Sequence, residues 1–172
     1  ERVNLEATGG LGEYNLEIFR QRAGLWANTF LRLMDLKRSR LEIPTLDLFL
    51  DGDMVSGIIH DELVKTNQVN VMDSAAYVAL VMSHAIARVA QSFEETRVSC
   101  TVGNHGRLQQ KVEFKEPHAS WDYVCYQMMA QFLANYEHIK FDIPRSTWQI
   151  TRVVNHDWLH FHGHGIRSWN NM

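Results

Sequence analysis

Apolar and polar positions alternate along this chain with two different periods, and the switches between them mark out its elements. From about Leu16 to Arg38, Ile18, Leu25, Phe30, Leu33 and Leu36 recur at mostly helical intervals, while Arg20, Arg22, Arg32 and Lys37 point elsewhere. That pattern predicts a first long helix, entered through the polar, Gly-rich loop ERVNLEATGGLGEYN. Pro44 stops any continuation, and the apolar run TLDLFLDGD predicts a buried strand over 46–51 that delivers a loop. A second helix is expected from about Asp73 to Phe93, with Asp73 or Ser74 as its cap and Tyr77, Leu80, Val81, His84 and Val89 along it. The run RVSCTVGNHG predicts a strand over 98–103 that again ends in glycine and polar residues. A third helix is expected over Ser120 to Tyr136, capped by Ser120, with Val124, Met128, Met129, Phe132 and Leu133 as its apolar stripe. Two strands over 148–154 and 157–162, separated by Asn155, His156 and Asp157, read as a β-hairpin.

Strand, helix, strand, helix is the α/β pattern, and ligands in such sheets gather where the strands end and polar loops emerge. No repeat, low-complexity segment or linker divides the 172 residues, so they are read as one domain spanning 1–172. With 45% hydrophobic residues the chain has the apolar material for one core and not for two. The formal net charge is −3, with 17 Lys and Arg scattered among 20 Asp and Glu, so no basic stripe recruits nucleic acid electrostatically. Any nucleic-acid contact is therefore expected to be local. Cys100 and Cys125 each lie in an apolar stretch, which suits buried reduced thiols and a cytoplasmic protein. No apolar run approaches the roughly 20 residues of a membrane span, and no signal peptide is visible.

Three strand ends carry candidate chemistry. Leu50-Asp51-Gly52-Asp53 presents a carboxylate just past a glycine, the oxygen ligand that a hard divalent cation needs, although Asp-Gly-Asp is also a common turn. Val102-Gly103-Asn104-His105-Gly106-Arg107 brings together an amide, an imidazole and a guanidinium, suited to metal ligation, proton transfer and phosphate binding, and is equally compatible with an ordinary loop. His160-Phe161-His162-Gly163-His164-Gly165 places three imidazoles in five residues; alternation puts His160 and His162 on one face and lets His164 point elsewhere. The competing reading of that run is a polar strand end with surface histidines. His84 is expected to be a core or boundary histidine, Met128-Met129 with Phe132 core packing, and Asp61-Glu62 a solvated helix start. Trp121, Trp148, Trp158 and Trp169 are core or rim candidates, with base stacking as the minor alternative.

The ordered set GD, GNH, HGH, from Phe49 to Gly165, resembles the signature of the calcineurin-like metallophosphoesterases. The resemblance implies an α/β sandwich of two β-sheets flanked by helices, with two divalent metals at the strand ends. It implies that Asp53 bridges the metals, that Asn104 and His162 are further ligands, and that His105 contacts the scissile phosphate and helps the leaving oxygen depart. The implied reaction is phosphodiester or phosphomonoester hydrolysis by a two-metal-activated hydroxide. Mn²⁺ is the first expectation for the metals, with Fe, Zn or Ni close behind. The Gly-Asn-His-Gly-Arg form and Ile166-Arg167-Ser168-Trp169 look similar to phage and bacterial members of the DNA-repair-exonuclease type, which makes DNA a candidate substrate and a host cytoplasm a candidate location.

Two departures from the family pattern matter. Gly106 and Arg107 stand where an acidic residue usually follows GNH, which leaves the orientation of His105 open and makes Arg107 a candidate phosphate contact. The family's opening Asp-x-His and closing Gly-His-x-His motifs are not among residues 1–172. The sandwich is therefore expected to be incomplete here, the chain being a fragment, a partly ordered chain or one piece of a split domain completed by a segment carrying the missing motifs. Two alternatives remain: a non-catalytic binding or assembly module on a degenerate scaffold, and a mononuclear zinc hydrolase built from His160, His162 and His164.

Overall fold

In the computed structural model, residues 2–6, 8–39, 41–111, 116, 118–164 and 166 are described. Trp169 and the Arg167-Ser168 pair lie outside them. The elements run α1 (Leu16–Arg38), β1 (Thr45–Asp51), α2 (Asp61–Thr66), α3 (Val71–Ala90), β2 (Glu95–Thr101), α4 (Trp121–Phe132), β3 (Ile139–Asp142), β4 (Trp148–Val153) and β5 (His156–Phe161). β1, β2 and β3 form a parallel sheet in that order, and β4 and β5 pair antiparallel. This is a mixed α/β arrangement.

Alternation along the strands sorts the layers. Leu48, Leu50, Val98 and Cys100 face a core shared with Ala79, Ile86, Tyr126 and Met129 of α3 and α4. Leu46 joins a neighbouring cluster with Ala23 and Ala27 of α1. On the opposite face the β4–β5 hairpin lies across the sheet: Thr151 Oγ1 donates to Ser99 Oγ (3.1 Å), and the His160 ring sits 4.7 Å from that of Phe49. Cys100 and Cys125 are buried and unpaired, as expected, and burial pushes both thiols up, Cys125 to about 12. Among the described residues no helix is long and apolar enough to cross a membrane.

Several expectations shift. α3 starts at Val71, because the Asn70 side chain takes the cap by accepting from the Asp73 N–H; Asp73 and Ser74 lie inside the helix. His84 is exposed, and Ser83 is the buried neighbour. In α1 the stripe of Leu25, Leu33 and Leu36 faces solvent, while the small Ala23 and Ala27 let the helix approach α3 closely. α4 ends at Phe132, and it buries Cys125, Tyr126 and Met129 with Leu133 just beyond, leaving Val124 and Phe132 exposed. β2 begins at Glu95, earlier than the apolar run suggested. β3 carries no long apolar run and went unpredicted. The hairpin turn is only Val154-Asn155, since His156 and Asp157 already pair with Val153 and Arg152. Asp61 does open a short helix.

Candidate functional site

Parallel strands β1 and β2 end side by side, Asp51 opposite Thr101, so the two motif loops emerge together. They touch at two glycines. A Cβ on Gly52 (φ +88°) would meet Gly103 N at 2.1 Å, and one on Gly103 would meet Asp53 Oδ1 at 2.2 Å. No side chain fits at either position. Asp53 itself takes a left-handed φ of +51°. Its Oδ1 accepts the His105 backbone N–H (2.9 Å), so the GD and GNH loops are joined through the proposed bridging carboxylate.

A residue that the motif reading missed holds this junction. Asp122, in the first turn of α4, is wholly buried. Its Oδ2 accepts from Asp53 N (3.1 Å) and Gly103 N (2.9 Å), and its Oδ1 from Met54 N (3.0 Å). Burial pushes this carboxyl above its ordinary range, opposed by those N–H donors. Tyr126, one turn further along α4, accepts from Gly52 N (3.0 Å) and lies within donating distance of the Leu50 (3.2 Å) and Thr101 (3.0 Å) carbonyls. Asp122 and Tyr126 stand at i and i+4, a spacing visible in the sequence but without meaning until α4 is placed.

The third motif arrives from β5. His162 Nδ1 lies 2.6 Å from the Asp51 carbonyl, which makes that nitrogen the N–H donor and, in the neutral ring, leaves the lone pair on Nε2. Nε2 stands 3.0 Å from Asp53 Oδ2. Two acceptors at that distance repel unless a proton or a cation lies between them. Tying one ring nitrogen to a carbonyl while the other faces a carboxylate is also how metal-ligating histidines are held. Asp53 and His162 therefore fit a cation site, and Asn104 lies in sequence between Gly103 and His105, both of which approach Asp53. Among the described residues, however, no three His, Cys, Asp or Glu side chains are arranged to hold a metal. Burial first, and then His162, hold the His164 imidazole below its ordinary value; its ring lies 5.6 Å from that of His162.

His160 has a different role. Its Nδ1 lies 2.8 Å from Asp51 Oδ1 of β1 and its Nε2 3.1 Å from Thr151 Oγ1 of β4, so one nitrogen ties the hairpin to the sheet and the other is engaged within the hairpin. This removes His160 from the set that a three-histidine zinc site would need. His105 Nδ1 lies 3.0 Å from the Ser56 carbonyl, and its ring meets that of His60 edge-on at 5.7 Å. That carbonyl orients the imidazole where the sequence offers no acidic residue. Glycine at 106 has a steric reason: a Cβ there would meet Ser120 Oγ at 2.6 Å and Asp122 at 2.8 Å. Arg107 donates to the carbonyls of Gln109, Asn104 and Gln110 (2.9, 3.0 and 2.7 Å), so three of its five N–H groups brace its own loop.

Gly57 (φ +71°) is the second support for His105, since a Cβ there would stand 1.8 Å from the His105 carbonyl oxygen. Gly57→Ala is expected to displace His105 and shift its ring resonances in an NMR spectrum, with a loss of roughly 1–3 kcal/mol in stability from backbone strain and overpacking. An unshifted His105 ring in that variant would contradict the assignment. The chain matches no known family model, and no curated protein or solved structure matches it.

Proposed function

We propose that this chain supplies part of a two-metal phosphoesterase centre of the calcineurin-like type, acting on phosphate esters. The observation that carries the reading is the meeting of three strand-end loops on one carboxylate: Asp53 Oδ1 is taken by the His105 N–H, and Oδ2 faces His162 Nε2. Asp53 and His162 would hold the metal ions, with the Asn104 amide as a third donor; Mn²⁺ suits this mixed oxygen and nitrogen set. Bound metals supply charge neutralisation on the phosphoryl oxygens and a water of lowered pKa. The β4–β5 hairpin packed against the three-stranded parallel sheet supports a two-layer arrangement with the three motif loops at one end.

The chain's own residues divide the remaining work. The Asp51 carbonyl and the His105 N–H fix the two ligating side chains before any cation arrives, so little ordering is left to binding. His105, with Nδ1 tied to the Ser56 carbonyl, would deliver a proton to the departing oxygen from Nε2 in its imidazolium form. His105→Ala is therefore expected to bind close to the normal complement of Mn²⁺ but to lose on the order of 10²–10⁴-fold in turnover. His162→Ala should instead lose metal affinity, with partial recovery of rate at high Mn²⁺. Calorimetric titration of Mn²⁺ into both variants of the protein that contains the whole chain, paired with rates on a chromogenic phosphodiester, makes the comparison. Identical metal binding in the two variants would contradict this division.

A further inference from the structure

Asp53 also walls a cavity of about 140 Å³ between the entry to α1, the β1–α2 loop and the first turns of α3. Leu16, Phe19 and Val78 are among its apolar lining residues, and Tyr14, Ser56 and Ser74 are its hydroxyl-bearing ones. We infer that this cavity seats a single unpaired pyrimidine base of the phosphoester held at Asp53, an inference that rests on the phosphoesterase reading of the adjoining site.

Size decides first. A cavity of ~150 Å³ accepts a benzene-sized ring, whereas pockets for whole drug-sized ligands run to roughly 300 Å³ and more. The volume matches one six-membered ring more closely than the fused pair of a purine. Chemistry narrows the class further: each hydroxyl both donates and accepts, which matches the mixed edge of a pyrimidine and has no counterpart on a plain aryl ring. Tyr14 is held in place by the Arg22 guanidinium 5.4 Å from its ring centre, and burial raises its hydroxyl so that it stays a donor. Position completes the argument, because the carbonyl of Ser56 orients His105. A ring in the cavity thus lies beside both the proposed metal ligand and the proposed acid. A base stacked and paired in a duplex cannot enter, so the substrate presents a single-stranded or extruded nucleotide.

The test compares the wild-type protein containing the whole chain with Ser74→Leu, which fills the cavity from its α3 wall, and with Tyr14→Ala, which removes a wall. Ligand-observed NMR on metal-free protein should show cytidine bound more tightly than adenosine, with at least a tenfold loss in Ser74→Leu. Tyr14→Ala should also lose cytidine binding, and it decides the matter if Ser74→Leu fails to fold. With Mn²⁺ present, the ratio of kcat/KM for a single-stranded dinucleotide over its abasic counterpart should fall at least tenfold in Ser74→Leu. Unchanged cytidine binding in the variants, or benzyl alcohol bound as tightly as cytidine, would overturn the assignment. Cytidine binding that Ser74→Leu abolishes, in a protein that turns over no phosphoester, would uphold the ring site and sink the phosphoesterase reading instead.

Discussion

Asp53→Asn is expected to lower Mn²⁺-dependent phosphodiester hydrolysis by on the order of 10³-fold or more, equivalent to about 4 kcal/mol of activation barrier. The amide keeps the oxygen that accepts the His105 N–H, so the two loops stay joined. What it removes is the charge facing His162 Nε2, and a neutral amide cannot bridge two cations. Stability should change little, since the Asp53 side chain is about 30% exposed. Rates on a chromogenic diester, with a thermal melt of the same preparation, separate the two effects. A variant as active as wild type, or activity that survives exhaustive chelation, would show that metal held by Asp53 is not the catalyst.

The second large effect belongs to Asp122. Asp122→Ala leaves three backbone N–H groups, those of Asp53, Met54 and Gly103, without the carboxylate that now accepts them. Each orphaned buried donor costs about 1–3 kcal/mol, so a loss of at least ~3 kcal/mol is expected even after water partly relaxes the site. Activity should fall with it, because the same three bonds set the angle of Asp53. Asp122→Asn should lie between, its amide N–H₂ facing one donor it cannot satisfy. The pH dependence has a definite sign. Burial makes the folded chain hold this proton more tightly than the unfolded chain, so this contribution to stability is full below the ordinary carboxylate range and declines as pH rises through the raised value. Denaturant titrations across that window should show the decline in wild type and not in Asp122→Asn. A melt of Asp122→Ala within experimental scatter of wild type would contradict the role assigned here.

The sequence revealed the loops better than it revealed their supports. Gly52, Gly103 and Gly106 could be read as turn residues, and the strand ends before Asp53, Asn104 and His162 followed from apolar runs that stop at glycine. Which side of a helix meets the core was less legible. Of the expected α1 stripe, Phe30 packs against the core while Leu25, Leu33 and Leu36 face solvent, because the helix approaches α3 through Ala23 and Ala27 with Phe19, Leu31 and Met34 beside them. Asp122 gave no signal, because a buried carboxylate in a first helical turn looks like any dipole-favoured acidic residue until its partners, 68 and 69 residues away, are in place. His160 misled for a related reason. Two alternate histidines read as one ligand face, but the Asp51 side chain and Thr151 claim both nitrogens of one, while the Asp51 main chain frees a nitrogen of the other.

Anomalous X-ray diffraction from crystals of the protein grown with Mn²⁺ locates the cation proposed between Asp53 and His162. An anomalous peak is expected within about 2.2 Å of both Asp53 Oδ2 and His162 Nε2. An absence of manganese at this position, with the Asp53 to His162 contact left at 3.0 Å, would contradict it and leave the non-catalytic binding module as the better description.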